Sequence, residues 1–393
     1  MTRTLPTIIL LIYFYQYFLP NILVVIMSTD NLAYIEEYIL LELQRQPLEA
    51  LSLWAKFFAE FRTGGLYNLC RRLLRNIKGH DLPEYGLGIV KYSEGWLYDR
   101  LGQWQDAVDA YMHSLENFHK ANIVGLDAEL WTNIGSIYQD QGYWSEAEEA
   151  YQTARSIAES QGDRKALGGV LNNLAGLYQS KGRLETAQQY VSNAIEIFRE
   201  VGDLYNVAAS LVGLGTIFIT QSHHQEALDK FLEAVSIFKK IEDPHGLGMA
   251  LASIARLYQL INRNSEAKRQ YQEALSVFIG IGDHVQINKT VANLGLILQE
   301  EGEPEQAKEH FERALDGYLE YGDHHGVVTC QISLGDLFYR RNDTKRCIEY
   351  LSKAYGSSKK YGFEDQVERM MLLFPEEIIN QVQYVGGNES SAV

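Results

Sequence analysis

The feature that most limits what this chain can fold into is a period of 40 residues. The pair Gly-Asp recurs at 162–163, 202–203, 282–283 and 322–323, with Glu242-Asp243 in the same frame. A column of small residues runs Gly95, Gly135, Ala175, Gly215, Ala255, Gly295, Gly335. Three positions later stand Tyr98, Tyr138, Tyr178, Phe218, Tyr258, Leu298 and Phe338, mostly aromatic. Further columns are Gly102, Gly142, Gly182, Ser222, Asn262, Gly302, Asn342, and then Ala107, Ala147, Ala187, Ala227, Ala267, Ala307, Cys347. A chain with a fixed period of this size is built from units that cannot bury their apolar faces alone and must stack on neighbours.

Each column has a physical reading. Within one unit Trp131, Ile134, Gly135 and Tyr138, then Ala147, Tyr151, Ala154 and Ala158, follow the spacing of 3 and 4 that marks helices. The Gly or Asn between the two segments suits the left-handed residue that ends a helix, and Ser222 fits it less well. The Gly-Asp pair closes the second helix and caps the next through the Asp carboxylate. The small columns allow close approach of two helices, and the aromatic column fills the space beside them.

Trp131-x-x-Ile134-Gly135-x-x-Tyr138, followed by Ala147, Tyr151 and Ala154, resembles the tetratricopeptide repeat. The usual period of that repeat is about 34, and a longer one resembles the variety in Pins-type and bacterial adaptor and sensor proteins. The resemblance implies an all-α fold, an α-solenoid in which antiparallel helix hairpins form a right-handed superhelix. Seven units cover residues 86–361, flanked by a degenerate helical N-terminal cap over 28–85 and C-terminal capping helices over 362–384. Residues 385–393 are expected to be a disordered tail.

Residues 5–27 carry no charge and are long enough to span a bilayer. A membrane anchor, a cleaved signal peptide, and an upstream artefact ahead of a true start at Met27 are all open readings of residues 1–27. A cytoplasmic location is expected, or membrane anchoring through this segment. The net charge of −16 disfavours nucleic acid as a partner. Cys70, Cys330 and Cys347 are too few for a disulfide framework. No Walker-type loop, Gly-x-Ser-x-Gly or His-Glu-x-x-His occurs, so no enzymatic activity, cofactor or metal is expected. Asp-His groups at 243/245, 283/284 and 323/324 suggest a row along one edge, read as solvated turn histidines near helix caps.

In the resembling family the first helix of each hairpin lines a concave groove, and an Asn two positions before the small column often bonds a bound peptide's backbone. Asn133, Asn173 and Asn293 match that position, whereas Ser93, Gly213, Ser253 and Ser333 do not. An amide offers a donor and an acceptor together, as an extended chain requires. Four positions after the small column, Gln139, Gln179, Gln259 and Gln299 form a second candidate ladder. Tyr92 and Trp96 stand at the groove's start and Arg256 further along, with Trp96 open to a core role. The basic residues of a carboxylate clamp, and the arginines of Pins-type grooves, are missing. The sequence therefore implies a non-catalytic scaffold or adaptor that holds a peptide or helical segment of another protein. A peptide-responsive regulator and a membrane-tethered assembly factor are the alternatives.

Overall fold

The computed structural model describes residues 37, 39–43, 45–63 and 67–389, and among them the regular elements are all α-helices. They fall into two compact units, one ending at Lys181 and one beginning at Gly182. The first contains α1 (Pro47–Thr63), α2 (Tyr67–Ile77), α3 (Glu84–Arg100), α4 (Trp104–Lys120), α5 (Asp127–Asp140), α6 (Trp144–Gln161) and α7 (Arg164–Ser180). The second contains α8 (Leu184–Glu200), α9 (Leu204–Thr220), α10 (His224–Lys240), α11 (Pro244–Leu260), α12 (Asn264–Ile281), α13 (His284–Glu300), α14 (Pro304–Tyr321), α15 (His324–Arg340), α16 (Thr344–Tyr361), α17 (Glu364–Leu373) and α18 (Glu376–Glu389).

Consecutive helices pair as hairpins: α3 with α4 and α5 with α6, then α9 with α10, α11 with α12, α13 with α14, and α15 with α16. Each second helix also packs on the first helix of the following hairpin, as α4 does on α5 and α10 on α11. First helices of neighbouring hairpins touch directly, α5 with α7, α9 with α11 and α13 with α15. This is an α-solenoid of stacked hairpins.

The turns follow from the residues that form them. Gly102, Gly142, Ser222, Asn262, Gly302 and Asn342 all have positive φ at the end of a first helix. Gly162, Gly282 and Gly322 do the same after second helices, and there Glu242 is forced to φ +55°. Asp163, Asp203, Asp283 and Asp323 then cap the following helix, accepting from the backbone N–H of Ala166, Asn206, Gln286 and Gly326 at 2.9, 3.1, 3.1 and 2.8 Å. Each cap satisfies an N–H that the helix itself leaves without a partner.

Packing inside a hairpin rests on one repeated contact. In four hairpins an aromatic ring of the second helix lies where a Cβ of the first helix would stand, whereas α11 carries Ala255 in that column and Gly335 of α15 meets Leu351. A Cβ added at Gly95 would come 2.7 Å from Tyr111, one at Gly135 2.7 Å from Tyr151, one at Gly215 2.5 Å from Phe231, and one at Gly295 2.7 Å from Phe311. The alanines of the second helices, Ala147, Ala154, Ala227, Ala234, Ala267, Ala274, Ala307 and Ala314, are fully buried.

The ends depart from this pattern. Glu94 occupies the position held by Ile134 and Leu174 in later repeats, yet it is buried. Its carboxylate is paired with Lys78, beyond the end of α2, and with Lys91 at 2.8 Å. A buried carboxylate needs such partners to be tolerated, and here they join the N-terminal hairpin to the first repeat. At the other end Val367, Met370, Phe374, Ile378, Ile379 and Val382 cover the last core. Helix α18 continues to Glu389, so residues 385–389, assigned from sequence to the tail, are helical. Gly386 and Gly387 each weaken a helix by only about 1 kcal/mol, without the block that proline imposes. Residues 1–27 and 390–393 lie outside the described residues. Among the described residues no helix is long and apolar enough to cross a membrane.

Two substitutions test this packing. Gly215→Leu drives a side chain into Phe231, and chemical denaturation should show a loss of about 1–3 kcal/mol; an unchanged midpoint contradicts the contact. Glu242→Gly removes a side chain from a left-handed position and should raise stability by about 0.5–1 kcal/mol, whereas the same change at helical Glu233 should lower it.

Candidate functional site

The first helices carry the residues that the sequence singles out. In the unit ending at Lys181, Tyr92 on α3 donates its hydroxyl to Glu129 Oε1 on α5 at 2.6 Å, and its ring meets Tyr111 edge-on at 5.8 Å. Trp96 packs partly into the core, edge-on to Phe58 at 6.0 Å, with the Arg100 guanidinium over its ring. It is anchored there and does not stand open on the face. Asn133 is half-buried and makes no hydrogen bond within the described residues. Asn173 donates only to the Gly169 carbonyl one turn earlier on α7, at 3.2 Å. Nothing lies within 4 Å of a Cβ built at Gly169, so the α7 backbone is uncovered beside that carbonyl.

The glutamines are less available. Gln139 Oε1 accepts from the Tyr151 hydroxyl at 3.0 Å. Gln179 is half-buried and, within the described residues, makes no hydrogen bond.

In the unit beginning at Gly182 the same split recurs. Gln259 donates to Glu300 at 3.3 Å and Gln299 to Asp336 at 2.6 Å, each bridging to the next first helix or its end. Asp336 also accepts from Arg340 one turn later on α15, at 2.9 Å. Arg256 is exposed. Asn293 is half-buried with no hydrogen bond within the described residues. The serines of the same column, Ser93, Ser253 and Ser333, return their hydroxyls to carbonyls of their own helices. Within that column the side chains with open capacity are thus Asn133 and Asn293.

Two other groups attract chemical attention. Cys330 and Cys347 are free and buried. Burial pushes their thiols up to about 12 and about 11, which removes thiolate at neutral pH. The histidines are more engaged than solvated turn residues. His284 stacks on Tyr321 at 4.5 Å and His324 on Tyr361 at 4.0 Å. His245 Nδ1 lies 2.9 Å from Asp283 Oδ2, a contact between α11 and the cap of α13. The sequence shows these Asp and His residues but not which of them meet, because partners stand about one period apart.

Residues 166–240 and 287–360 match a family model described as Tetratricopeptide repeat, and residues 130–165 match a second model of that description. Residues 246–301 match the model for Anaphase-promoting complex subunit 5. No curated protein matches the chain. Among solved structures, the apo quorum sensor NprR from B. thuringiensis is similar at 15% identity and TM-score 0.56, over 83% of this chain and 87% of that one. The Rap conjugation gene regulator of plasmid pLS20, in complex with a Phr peptide, is similar at 15% identity and TM-score 0.56, over 84% and 94%. A Rap protein complexed with Competence and Sporulation Factor matches at 15% identity and TM-score 0.53, over 86% and 99%. At such identity the likeness is one of fold.

The His245 pair generates a pH dependence with a definite sign. The hydrogen bond to Asp283 raises the imidazole pKa against the opposing effect of burial, and the charges of Asp283 and Asp243 add to the rise. Burial pushes the Asp283 carboxyl up, but the bonds from His245 and the Gln286 N–H outweigh it and hold the carboxyl below its ordinary value. The His contribution is fully present below the unfolded-state pKa of about 6.5 and is lost as pH rises through the raised folded value. The Asp contribution is lost only as pH falls through its lowered value. Because the His245 side chain is half exposed, screening limits the effect to about 0.5 kcal/mol. Thermal melts at about pH 5.5 and about pH 8.5 should show that His245→Gln flattens the loss of stability on the alkaline side. An identical pH profile for the variant contradicts the pair.

Proposed function

The chain belongs to the tetratricopeptide-repeat family, and we propose that it is a non-catalytic interaction scaffold whose first-helix faces receive an extended or helical segment of a partner protein. The observation that carries this reading is the open hydrogen-bonding capacity of Asn133, half-buried on α5, beside an uncovered stretch of α7 at Gly169 and Asn173. A half-buried amide that makes no hydrogen bond within the described residues keeps a donor and an acceptor, which match those of a peptide unit. Serines at the equivalent positions satisfy themselves on their own helices, so the asparagines are not needed for helix stability.

A second reading, a regulator that responds to a bound peptide, draws support from the resemblance in fold to a Rap regulator held with a Phr peptide and to the quorum sensor NprR. It uses the same face and the same asparagines. Membrane tethering through residues 5–27 concerns a segment outside the described residues and forms no part of the proposal.

The test is affinity capture from native lysate with the full chain as bait and Asn133→Ala/Asn173→Ala as the comparison. The double variant should lose most of the captured partner while keeping its far-ultraviolet helicity. Equal capture by both proteins places the partner elsewhere.

A further inference from the structure

The joint between one hairpin and the next changes character at the last repeat. Where α15 joins the hairpin before it, Val291, Ala314, Tyr318, Val327 and Cys330 form one buried cluster, and the Tyr318 ring lies against Gly326. One period later those columns read Gln331, Ala354, Ser358, Val367 and Met370, with Gln366 in the place of Gly326. Gln331, Ser358 and Gln366 are all buried. Within the described residues, Gln331 Oε1, Ser358 Oγ and Gln366 Oε1 make no hydrogen bond. The Gln366 amide nitrogen is used, donating to Asp365 Oδ2 and lying beside His325 Nε2, both at 3.0 Å. A buried polar atom without a partner weighs against the packing that buries it.

The outer side of α17 shows the opposite mismatch. Met371, Leu372 and Leu373 at its end are exposed, Leu372 to 87%. The terminal unit of a solenoid ordinarily turns a polar face to water. Helix α17 thus buries polar groups and exposes apolar ones, a local conflict of the kind that leaves an element with a second accessible arrangement. It is also short, 10 residues against 17 in α15. What α17 and α18 cover includes part of the first-helix face. Ile332 and Ser333 of α15 are buried, Ile332 completely, whereas Val212, Gly213, Ala252, Ser253, Ala292 and Asn293 in the same columns are half-buried. Ile332 shares one core cluster with Phe374, Ile378, Ile379 and Val382. Phe374 also meets Tyr339 edge-on at 5.8 Å, in the column of Gln259 and Gln299.

We propose that α17 and α18 are a releasable cover over the α15 end of the first-helix face, closed in the free protein and opening as a unit about the Gly362 turn. This rests on the reading of the first-helix face given above and adds a control on access to it. The apolar side chains of the cover, Val367, Met370, Phe374, Ile378, Ile379 and Val382, keep the closed state dominant. The unpartnered atoms at the joint lower the cost of opening, because water satisfies them once it reaches them. Gly362, at φ +75°, is the residue of the turn best able to change its backbone angles. Opening bares Ile332, Ser333 and Tyr339, so a partner segment that reaches them competes with the cover.

The test reads opening by thiol labelling of the full chain with DTNB, in the absence of any partner. Ser333→Cys places a thiol under the cover, and Ser253→Cys places one at the matching open position of α11. Both serines bond a carbonyl of their own helix, so the two changes are alike. The buried native thiols Cys70, Cys330 and Cys347 report wider unfolding. Ser333→Cys should label about tenfold or more slowly than Ser253→Cys, yet faster than the native thiols. Gln331→Val/Ser358→Tyr/Gln366→Gly copies the joint of the preceding hairpin. It should slow labelling at Ser333→Cys by about tenfold again and leave Ser253→Cys within about twofold. If that triple variant loses helicity, Gln331→Val alone carries the comparison, with an expected slowing of about threefold. Equal rates at the two introduced thiols overturn the cover. Labelling of Ser333→Cys only as fast as the native thiols, or a rate unmoved by the joint substitutions, overturns its release. No partner enters this measurement, so its failure leaves the capture experiment with Asn133 and Asn173 standing, and failure of that capture leaves the opening rates standing.

Discussion

Close approach of the two helices of a hairpin at a small first-helix residue is the constraint on which the rest of this structure depends, and in four hairpins an aromatic ring is seated where the first-helix Cβ is missing. With Gly95, Gly135, Gly215 and Gly295 under Tyr111, Tyr151, Phe231 and Phe311, the two helices of a hairpin close on each other without a gap. Beside each ring the second helix has room only for small side chains, and alanine fills those columns. The close approach also orients each first helix. One side faces the ring, and the other side is left to present amides, carboxylates and open backbone. A surface for another chain is thus a by-product of how the hairpin is packed.

Much of this was legible because it is local. A left-handed residue between helices and an Asp at the next N-cap announce themselves within a few positions, and the 40-residue period multiplies the signal. Ser222 and Glu242 were harder, since only the frame, and not their own preferences, places them at positive φ. Three features were out of reach for a different reason. Glu94 in a core column is intelligible only once Lys78 and Lys91 are seen beside it. The His245–Asp283 contact joins residues 38 positions apart. Gln259 and Gln299, chosen from their column as ligand contacts, spend their amides on Glu300 and Asp336, because a carboxylate on the neighbouring repeat comes within reach.

The candidate site therefore separates into parts that hold the fold and parts that the fold leaves unsatisfied. Trp96, Gln139, Gln259 and Gln299 belong to the first group through their contacts. Asn133 and Asn293 belong to the second, since within the described residues they make no hydrogen bond. Amides left open at half-exposed positions keep their donors and acceptors for a partner that displaces the water on them.

The central claim is that the first helices, and not the second, receive the other chain. Hydrogen exchange followed by mass spectrometry on the full chain, alone and saturated with its captured partner, tests it most directly. The account predicts that slowed exchange concentrates in α3, α5 and α7, with α4 and α6 unchanged. Slowing confined to the second helices would contradict it.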